Sequence, residues 1–169
     1  MRAIIDKFLE RLLVLIMAVM LIAVIWQVIS RYLLGAPSTL TDEIASFSLI
    51  WLGLFGAAYA TGKDLHLSID LIPVRIVRRS PVVFAAIVTF AVVAFAFFVM
   101  VIGGLRLCWI TYTLAQKSAA LEIPLTYIYL AIPVSGLLIV FYNIESFLRT
   151  LKMFKKNKYG LHRGTDTGR

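Results

Sequence analysis

The chain has 169 residues, of which 61% are hydrophobic and only 15% are charged, and its formal net charge is +8. A mean hydropathy of +0.92 excludes an ordinary water-soluble domain. The positive charge lies mostly outside the apolar runs, so we expect it to meet anionic lipid headgroups rather than nucleic acid.

Four apolar runs predict an all-α integral membrane protein. Each is long enough to cross a hydrocarbon core, which needs roughly 20 apolar residues in a helix. Short alternating strands, the sign of a membrane barrel, are lacking. The predicted spans are near residues 12–34, 44–61, 82–110 and 124–147. They fill one membrane domain over residues 1–158, with a disordered cytoplasmic tail at 159–169.

The N-terminal residues 1–11 form an amphipathic pattern. Ile4, Ile5 and Phe8 share one helical face with Leu12, and charged residues occupy the others. This pattern predicts a separate helix lying in the membrane interface before the first span. No small-residue cleavage site follows, so we expect the segment to stay attached.

A short polar turn joins the first two spans. Arg31 ends the first span, and Thr39, three residues before Asp42, predicts a helix N-cap. Asp42 and Glu43 add negative charge to the first turn of the second span. The hairpin brings Arg31 near both acids. Either they form an ion pair or the three charges are independent features of the helix ends, and the sequence leaves both open.

The second span carries one acid and a line of mostly small residues at steps of three and four. These are Glu43, Ser46, Ile50, Gly53, Ala57 and Ala60. Small residues let another helix approach closely, which drives helix association in lipid. The partner helix could belong to this chain or to a second protein.

Two tryptophans lie deeper than the usual headgroup belt. Trp26 is about a turn and a half inside Arg31, and Trp51 is about two turns inside Glu43. Each side chain either anchors the helix at the interface or faces another helix.

The loop after the second span contains His66 and Asp70, four residues apart. We interpret this pair as structural, because one histidine and one acid are too few ligands for a metal. The single cysteine, Cys108, excludes an internal disulfide and is expected to be core packing. No metal or cofactor is expected.

Lysine and arginine are concentrated in the N-terminal segment, the middle loop and the tail. The turn between the first two spans and the turn between the last two spans carry few of these residues. By the positive-inside rule, both termini and the middle loop are predicted to be cytoplasmic.

The chemistry that the spans lack narrows the function. None of the nine acids lies in the middle of a span, as ion-coupled transport would need. The helices contain no histidines for haem and no buried hydrolase constellation. An accessory membrane subunit, not an enzyme, is the remaining interpretation.

Motifs of the hairpin and second span resemble a known family. They are W-Q-V-x-x-R-Y at Trp26–Tyr32, P-x-x-x-T-D-E ending at Glu43, W-L-G-L-x-G-A-A-Y at Trp51–Tyr59, and G-K-D-L-H-L-S-I-D at Gly62–Asp70. Together they resemble the small, DctQ-like membrane subunit of TRAP transporters (tripartite ATP-independent periplasmic transporters). The resemblance covers all four spans in order.

This resemblance implies a bacterial inner-membrane protein that scaffolds a sodium-driven uptake system. Its partners would be a large membrane subunit, which carries the substrate and sodium sites, and a periplasmic binding protein that delivers an organic acid. That acid would be a C4-dicarboxylate, sialic acid or another sugar acid. The small subunit would pack against the large one and help to dock the binding protein.

The implied site residues are structural or face a partner, and none has a chemical role. Arg31, Asp42 and Glu43 would fix the periplasmic hairpin, Gly53, Ala57 and Ala60 would pack helices, and His66 and Asp70 would shape the cytoplasmic loop. The alternative is a self-assembling four-helix pore or exporter that uses Arg31 and Arg106 to attract anions.

Overall fold

The computed structural model describes residues 2–36, 38–63 and 81–161, with the side chains of 3, 81–85 and 150–161 excluded. Its helices are α1 (Arg2–Tyr32), α2 (Thr39–Gly62), α3 (Pro81–Phe95), a π-helical segment (Ala96–Gly103), α4 (Gly104–Thr113), α5 (Leu125–Tyr129) and α6 (Ala131–Leu161). From α3 to α4 the backbone is continuously helical.

The prediction of four membrane spans is confirmed. Four stretches of the described residues are long and apolar enough to cross a membrane: Ile4–Tyr32, Thr39–Gly62, Ala86–Thr113 and Leu125–Arg149. Most of their large apolar side chains face outward. Such apolar surfaces are stable in contact with lipid or another membrane protein, whereas their exposure to water is unfavourable.

The prediction of a separate interfacial helix at residues 1–11 is wrong. Residues 2–11 are the first turns of α1, a single helix of 31 residues. No glycine or proline occurs between Arg2 and Tyr32, so nothing interrupts the helical hydrogen bonds. At 1.5 Å per residue α1 is about 46 Å long, which exceeds a hydrocarbon core of about 30 Å.

The helices pack around α2 and α6. α1 lies along α2, α2 contacts α6, and α6 also contacts α3 and the π-helical segment. Leu9, Phe55, Ala131 and Tyr142 form one buried core cluster. The α6–π-helical contact is close because Gly136 has no side chain, and a Cβ placed there would lie 2.7 Å from the Met100 Cβ.

Candidate functional site

At the α2 end where the first two spans are joined, the Glu43 carboxylate holds the loop between α4 and α5. Its Oε2 accepts hydrogen bonds from the Ser118 hydroxyl and, at 3.0 Å, from the Leu121 backbone N–H. Its Oε1 accepts one from the Ala120 N–H at 3.0 Å. We call these four residues the Glu43 clamp. Ser118 is buried, so the clamp joins two segments that are far apart in the sequence.

The clamped loop, residues 114–124, has an unusual backbone. Ala115 and Glu122 have φ values of 47° and 55°, in the left-handed region that side chains with a Cβ disfavour. The Ser118 N–H donates to the Ile123 carbonyl at 2.9 Å, which closes the loop on itself. Such conformations persist where surrounding contacts fix them. Here the backbone hydrogen bonds of the loop supply such contacts, and the Glu43 carboxylate holds the segment between the two strained positions.

Of the two possibilities that the sequence leaves open for Arg31, the structure excludes an ion pair with Asp42 or Glu43. Asp42 Oδ1 instead accepts a 2.8 Å hydrogen bond from the Gln27 amide, and Glu43 belongs to the clamp. Gln27 is one turn deeper on α1 than Arg31 and reaches Asp42 there. Arg31 is exposed, and no acid of the described residues forms an ion pair with it.

The start of α2 differs from the prediction by one residue. Ser38, rather than Thr39, is the N-cap, and its side chain makes no capping hydrogen bond. The Thr41 hydroxyl instead donates to the Ser38 carbonyl at 3.0 Å. The start of α2 is therefore held by a hydroxyl within the helix rather than by the side chain of the capping residue.

At the opposite end of the bundle, Arg2 joins three helices. Its guanidinium donates to the Gly62 carbonyl at the end of α2. Its Nε lies 3.6 Å from Asp6 Oδ2, and its Nη1 lies 3.4 Å from Glu145 Oε1 on α6. The side chains of Arg2 and Asp6 are about one-fifth exposed, so the rest of the chain shields these charges from water.

Tyr142 and Arg149 extend this network along α6. The buried Tyr142 hydroxyl donates to Asp6 Oδ1 at 2.7 Å, and Arg149 forms a second ion pair with Glu145. A Cβ on Gly62 would lie only 2.9 Å from the Tyr142 ring, so a glycine is needed there. We call the set the Arg2 cluster: Arg2, Asp6, Gly62, Tyr142, Glu145 and Arg149.

The small residues of α2 point largely away from the rest of the chain. A Cβ placed on Gly53 would have no heavy atom within 4 Å, and the same holds for Gly56. Ser46 and Ile50 are exposed. Ala57 and Ala60 are half-buried. We call Ser46, Ile50, Gly53, Gly56, Ala57 and Ala60 the open face of α2.

The two tryptophans have different surroundings. Trp51 is half-buried and meets the Phe55 ring edge-on, with centroids 5.4 Å apart. It lines a half-open apolar cavity of about 400 Å³ between α1, α2 and α6. Trp26 is 51% exposed and faces outward from α1. Trp51 therefore packs against its own chain, and Trp26 is available to lipid or a partner.

Within the described ranges, no three His, Cys, Asp or Glu side chains come together as a metal site. His66 and Asp70 lie outside the described residues. Cys108 is buried on α4, as predicted. Arg31 and Arg106 are both exposed.

The partners of the acids could not be identified from the sequence. Ser118 in the clamp belongs to no motif, and Gln27 lies in W-Q-V-x-x-R-Y, a motif that does not indicate Asp42 as its partner. The i,i+4 spacing of Glu145 and Arg149 was visible, but the contact of Glu145 with Arg2 spans almost the whole chain. A useful signal was available in Glu43 itself, since a partly buried acid needs donors.

Comparison with known proteins identifies relatives. The family model described as "Tripartite ATP-independent periplasmic transporters, DctQ component" matches residues 7–153. The sialic acid TRAP transporter small permease protein SiaQ of Vibrio cholerae is 25% identical over 158 residues, covering 90% of this chain and 87% of that protein.

Two putative TRAP transporter small permease proteins of Haemophilus influenzae also match. One is 35% identical over 68 residues, covering 40% of this chain and 42% of the relative. The other is 24% identical over 147 residues, covering 87% of both chains.

Proposed function

The chain belongs to the family of DctQ components of tripartite ATP-independent periplasmic transporters, and we propose that it is a scaffold subunit that packs on a large transport subunit through the open face of α2. Members of this family are inner-membrane proteins, in agreement with the four long apolar helices. The orientation that we propose has both termini and the residue 63–80 loop in the cytoplasm, from the positive-inside rule.

The observation that carries this proposal is the open space beside Gly53 and Gly56, of which Gly53 is exposed and Gly56 half-buried. In lipid, glycines on a helix surface let another helix approach closely. A Cβ added to either glycine would have no neighbouring heavy atom within 4 Å among the described residues. A helix of the large subunit would fill this space.

The location of charged groups supports a scaffold without its own transport site. Asp42 lies in the first turn of α2 and Glu43 directly follows it, and Asp6 lies in the first two turns of α1. Each has a hydrogen-bond partner within the chain. Among the described residues, no carboxylate lies near the middle of a span. We therefore infer that the large subunit binds sodium and substrate.

The substrate that we propose is a carboxylated solute, since one relative is named for sialic acid transport. A periplasmic binding protein would deliver it. The small subunit would contribute to docking through the Glu43 end of the bundle, which the proposed orientation puts in the periplasm.

Co-expression with the neighbouring large subunit tests the packing. Gly53→Phe adds a large side chain to the open face of α2 and should reduce recovery of the complex by about tenfold, a loss of about 1.4 kcal/mol. The matched control is Gly103→Phe. Gly103 is an exposed glycine whose added Cβ would meet only the Phe98 carbonyl, at 3.8 Å.

Two results would contradict the proposal. One is equal recovery of the complex with both phenylalanine variants. The other is uptake of an organic acid by proteoliposomes that contain this chain alone.

A further inference from the structure

The loop at residues 114–124 contains an anion site that is filled by a side chain of this protein. One hydroxyl and two backbone N–H groups, from Ser118, Ala120 and Leu121, converge on a single carboxylate. Convergent backbone N–H groups form anion-binding concavities in other proteins. Here Glu43 reaches into the site from α2. Removing its carboxylate takes the shared acceptor from all three donors and leaves only the 3.3 Å hydrogen bond from the Leu121 N–H to the Ser118 hydroxyl.

The outer side of this loop is exposed and carries both polar and apolar groups. Gln116, Lys117 and Glu122 supply the polar and charged groups, and Leu114 and Ile123 are the large exposed apolar side chains. A mixed surface with its backbone fixed in advance suits a protein that binds and leaves, because little ordering entropy is lost on binding.

The same helix carries the open face and the clamp. Glu43 is the first residue of the small-residue line on α2, and Gly53 lies ten positions along it, about 15 Å away. Any protein packed on the open face therefore has a fixed distance and direction to the loop. The position of the 114–124 loop is therefore fixed relative to a large subunit that packs on the open face.

We infer that Glu43 is a positioning residue that holds the 114–124 loop in the conformation on which the periplasmic binding protein docks. This inference rests on the proposed function for the identity of the partner. Glu43 does not touch the binding protein. Glu43 determines the position of the loop and restricts its motion.

The test uses Glu43→Ala in the complete complex, with Asp42→Asn as the matched control. Asp42 precedes Glu43 in the same turn, and asparagine keeps the acceptor for the Gln27 amide while removing the same charge. Three quantities are measured: recovery of the complex, hydrogen exchange of residues 114–124, and association of the binding protein.

For Glu43→Ala, we expect normal recovery of the complex. Amide exchange in the loop should be roughly tenfold faster and docking roughly tenfold weaker, because the donors of Ser118, Ala120 and Leu121 lose the carboxylate that holds them together. Sodium formate should restore both, since a free carboxylate can enter the vacated anion site. Asp42→Asn should change neither. Glu43→Gln, which keeps the side-chain size but loses an anionic acceptor, should fall between them.

The outcomes separate the inference from the proposed function. If the unaltered complex does not bind the binding protein, the proposed docking function is contradicted, while loop exchange still tests the clamp. Unchanged loop exchange, or normal docking despite a loosened loop, overturns the inference. Lost assembly that formate does not restore also overturns it, since Glu43 would then be needed only for folding.

Discussion

Tyr142 donates a 2.7 Å hydrogen bond to Asp6, although the two residues are 136 positions apart in the sequence. This bond fixes the start of α1 against α6 at one end of the bundle. It belongs to the Arg2 cluster, in which partly buried charges and a tyrosine contact one another, although Glu145 Oε2 is buried without a hydrogen-bond partner among the described residues. Stability at this end depends on polar contacts as well as on apolar packing.

Tyr142→Phe isolates the hydrogen bond to Asp6, because phenylalanine keeps the ring beside Gly62. We expect a loss of about 0.5–1.5 kcal/mol in the free energy of unfolding, the usual range for one hydrogen bond. Thermal unfolding in detergent measures it. Tyr112→Phe is the control, since Tyr112 is 71% exposed. Equal unfolding temperatures for the two variants would contradict the importance of this bond.

Gly136→Ala tests the close packing of α6 on the π-helical segment. The added Cβ would lie 2.7 Å from the Met100 Cβ and 3.2 Å from the Ala96 carbonyl oxygen, so the helices must separate. We expect destabilisation of about 1–3 kcal/mol, as for other overpacked cores. Gly53→Ala, in open space, should be neutral or slightly stabilising for the isolated subunit, because alanine favours helix. Indistinguishable denaturation midpoints for Gly136→Ala and Gly53→Ala would show that the contact between α6 and the π-helical segment is loose.

The two arginines that pair with Glu145 should differ in importance. Arg149 is 46% exposed and its ion pair should contribute at most about 0.5 kcal/mol. Arg2 is 20% exposed and also bonds to Gly62 and Asp6. Arg2→Ala should therefore destabilise the bundle by about 2 kcal/mol, because the buried Gly62 carbonyl loses its side-chain donor and Asp6 and Glu145 each lose an ion pair. Comparison of the two alanine variants by unfolding in denaturant checks this order, and a larger loss for Arg149→Ala would reverse it.

Arg31→Ala should not change the stability of the isolated subunit by more than about 0.5 kcal/mol, since the side chain is exposed and outside any ion pair of the described residues. Asp42→Ala should cost more, because it removes the acceptor of the Gln27 amide. If Arg31→Ala weakens docking or assembly while stability and sodium affinity stay normal, the arginine acts through a partner. A marked loss of stability would mean that it acts within the fold.

Cys108 is buried at 8% exposure and should resist thiol reagents in the folded protein. A maleimide added in mild detergent should label it slowly, and labelling should become complete only after unfolding in dodecyl sulfate. The chain has no other cysteine, so the labelled fraction reports unfolding directly. Rapid labelling of the native subunit would contradict the burial of α4 at this position.

The four spans were predictable because length and hydropathy are local properties of a segment. The burial of Cys108 and the small-residue line of α2 followed from similar local patterns. The prediction of a separate interfacial helix was wrong for an equally local reason. Amphipathicity indicates where a segment lies, but without a glycine or proline it does not end a helix.

Polar contacts between distant segments could not be predicted. Glu43 and Ser118 are separated by 75 positions, and which donors face the acid depends on how α2 packs beside the loop. Proximity in the hairpin suggested Arg31 instead. The rotation of α1 about its axis decides between Gln27 and Arg31, and one sequence does not determine that rotation.

The Arg2 cluster also has a consequence for how the protein is made. Arg2 is synthesised together with Asp6 but long before Gly62 and Glu145, so the nascent first helix carries only one of the two acids that pair with the arginine. The contacts of Arg2 with α2 and α6 can form only after those helices have been made. A product truncated before Glu145 lacks the ion pair between α1 and α6, which gives membrane quality control a physical difference between finished and unfinished chains.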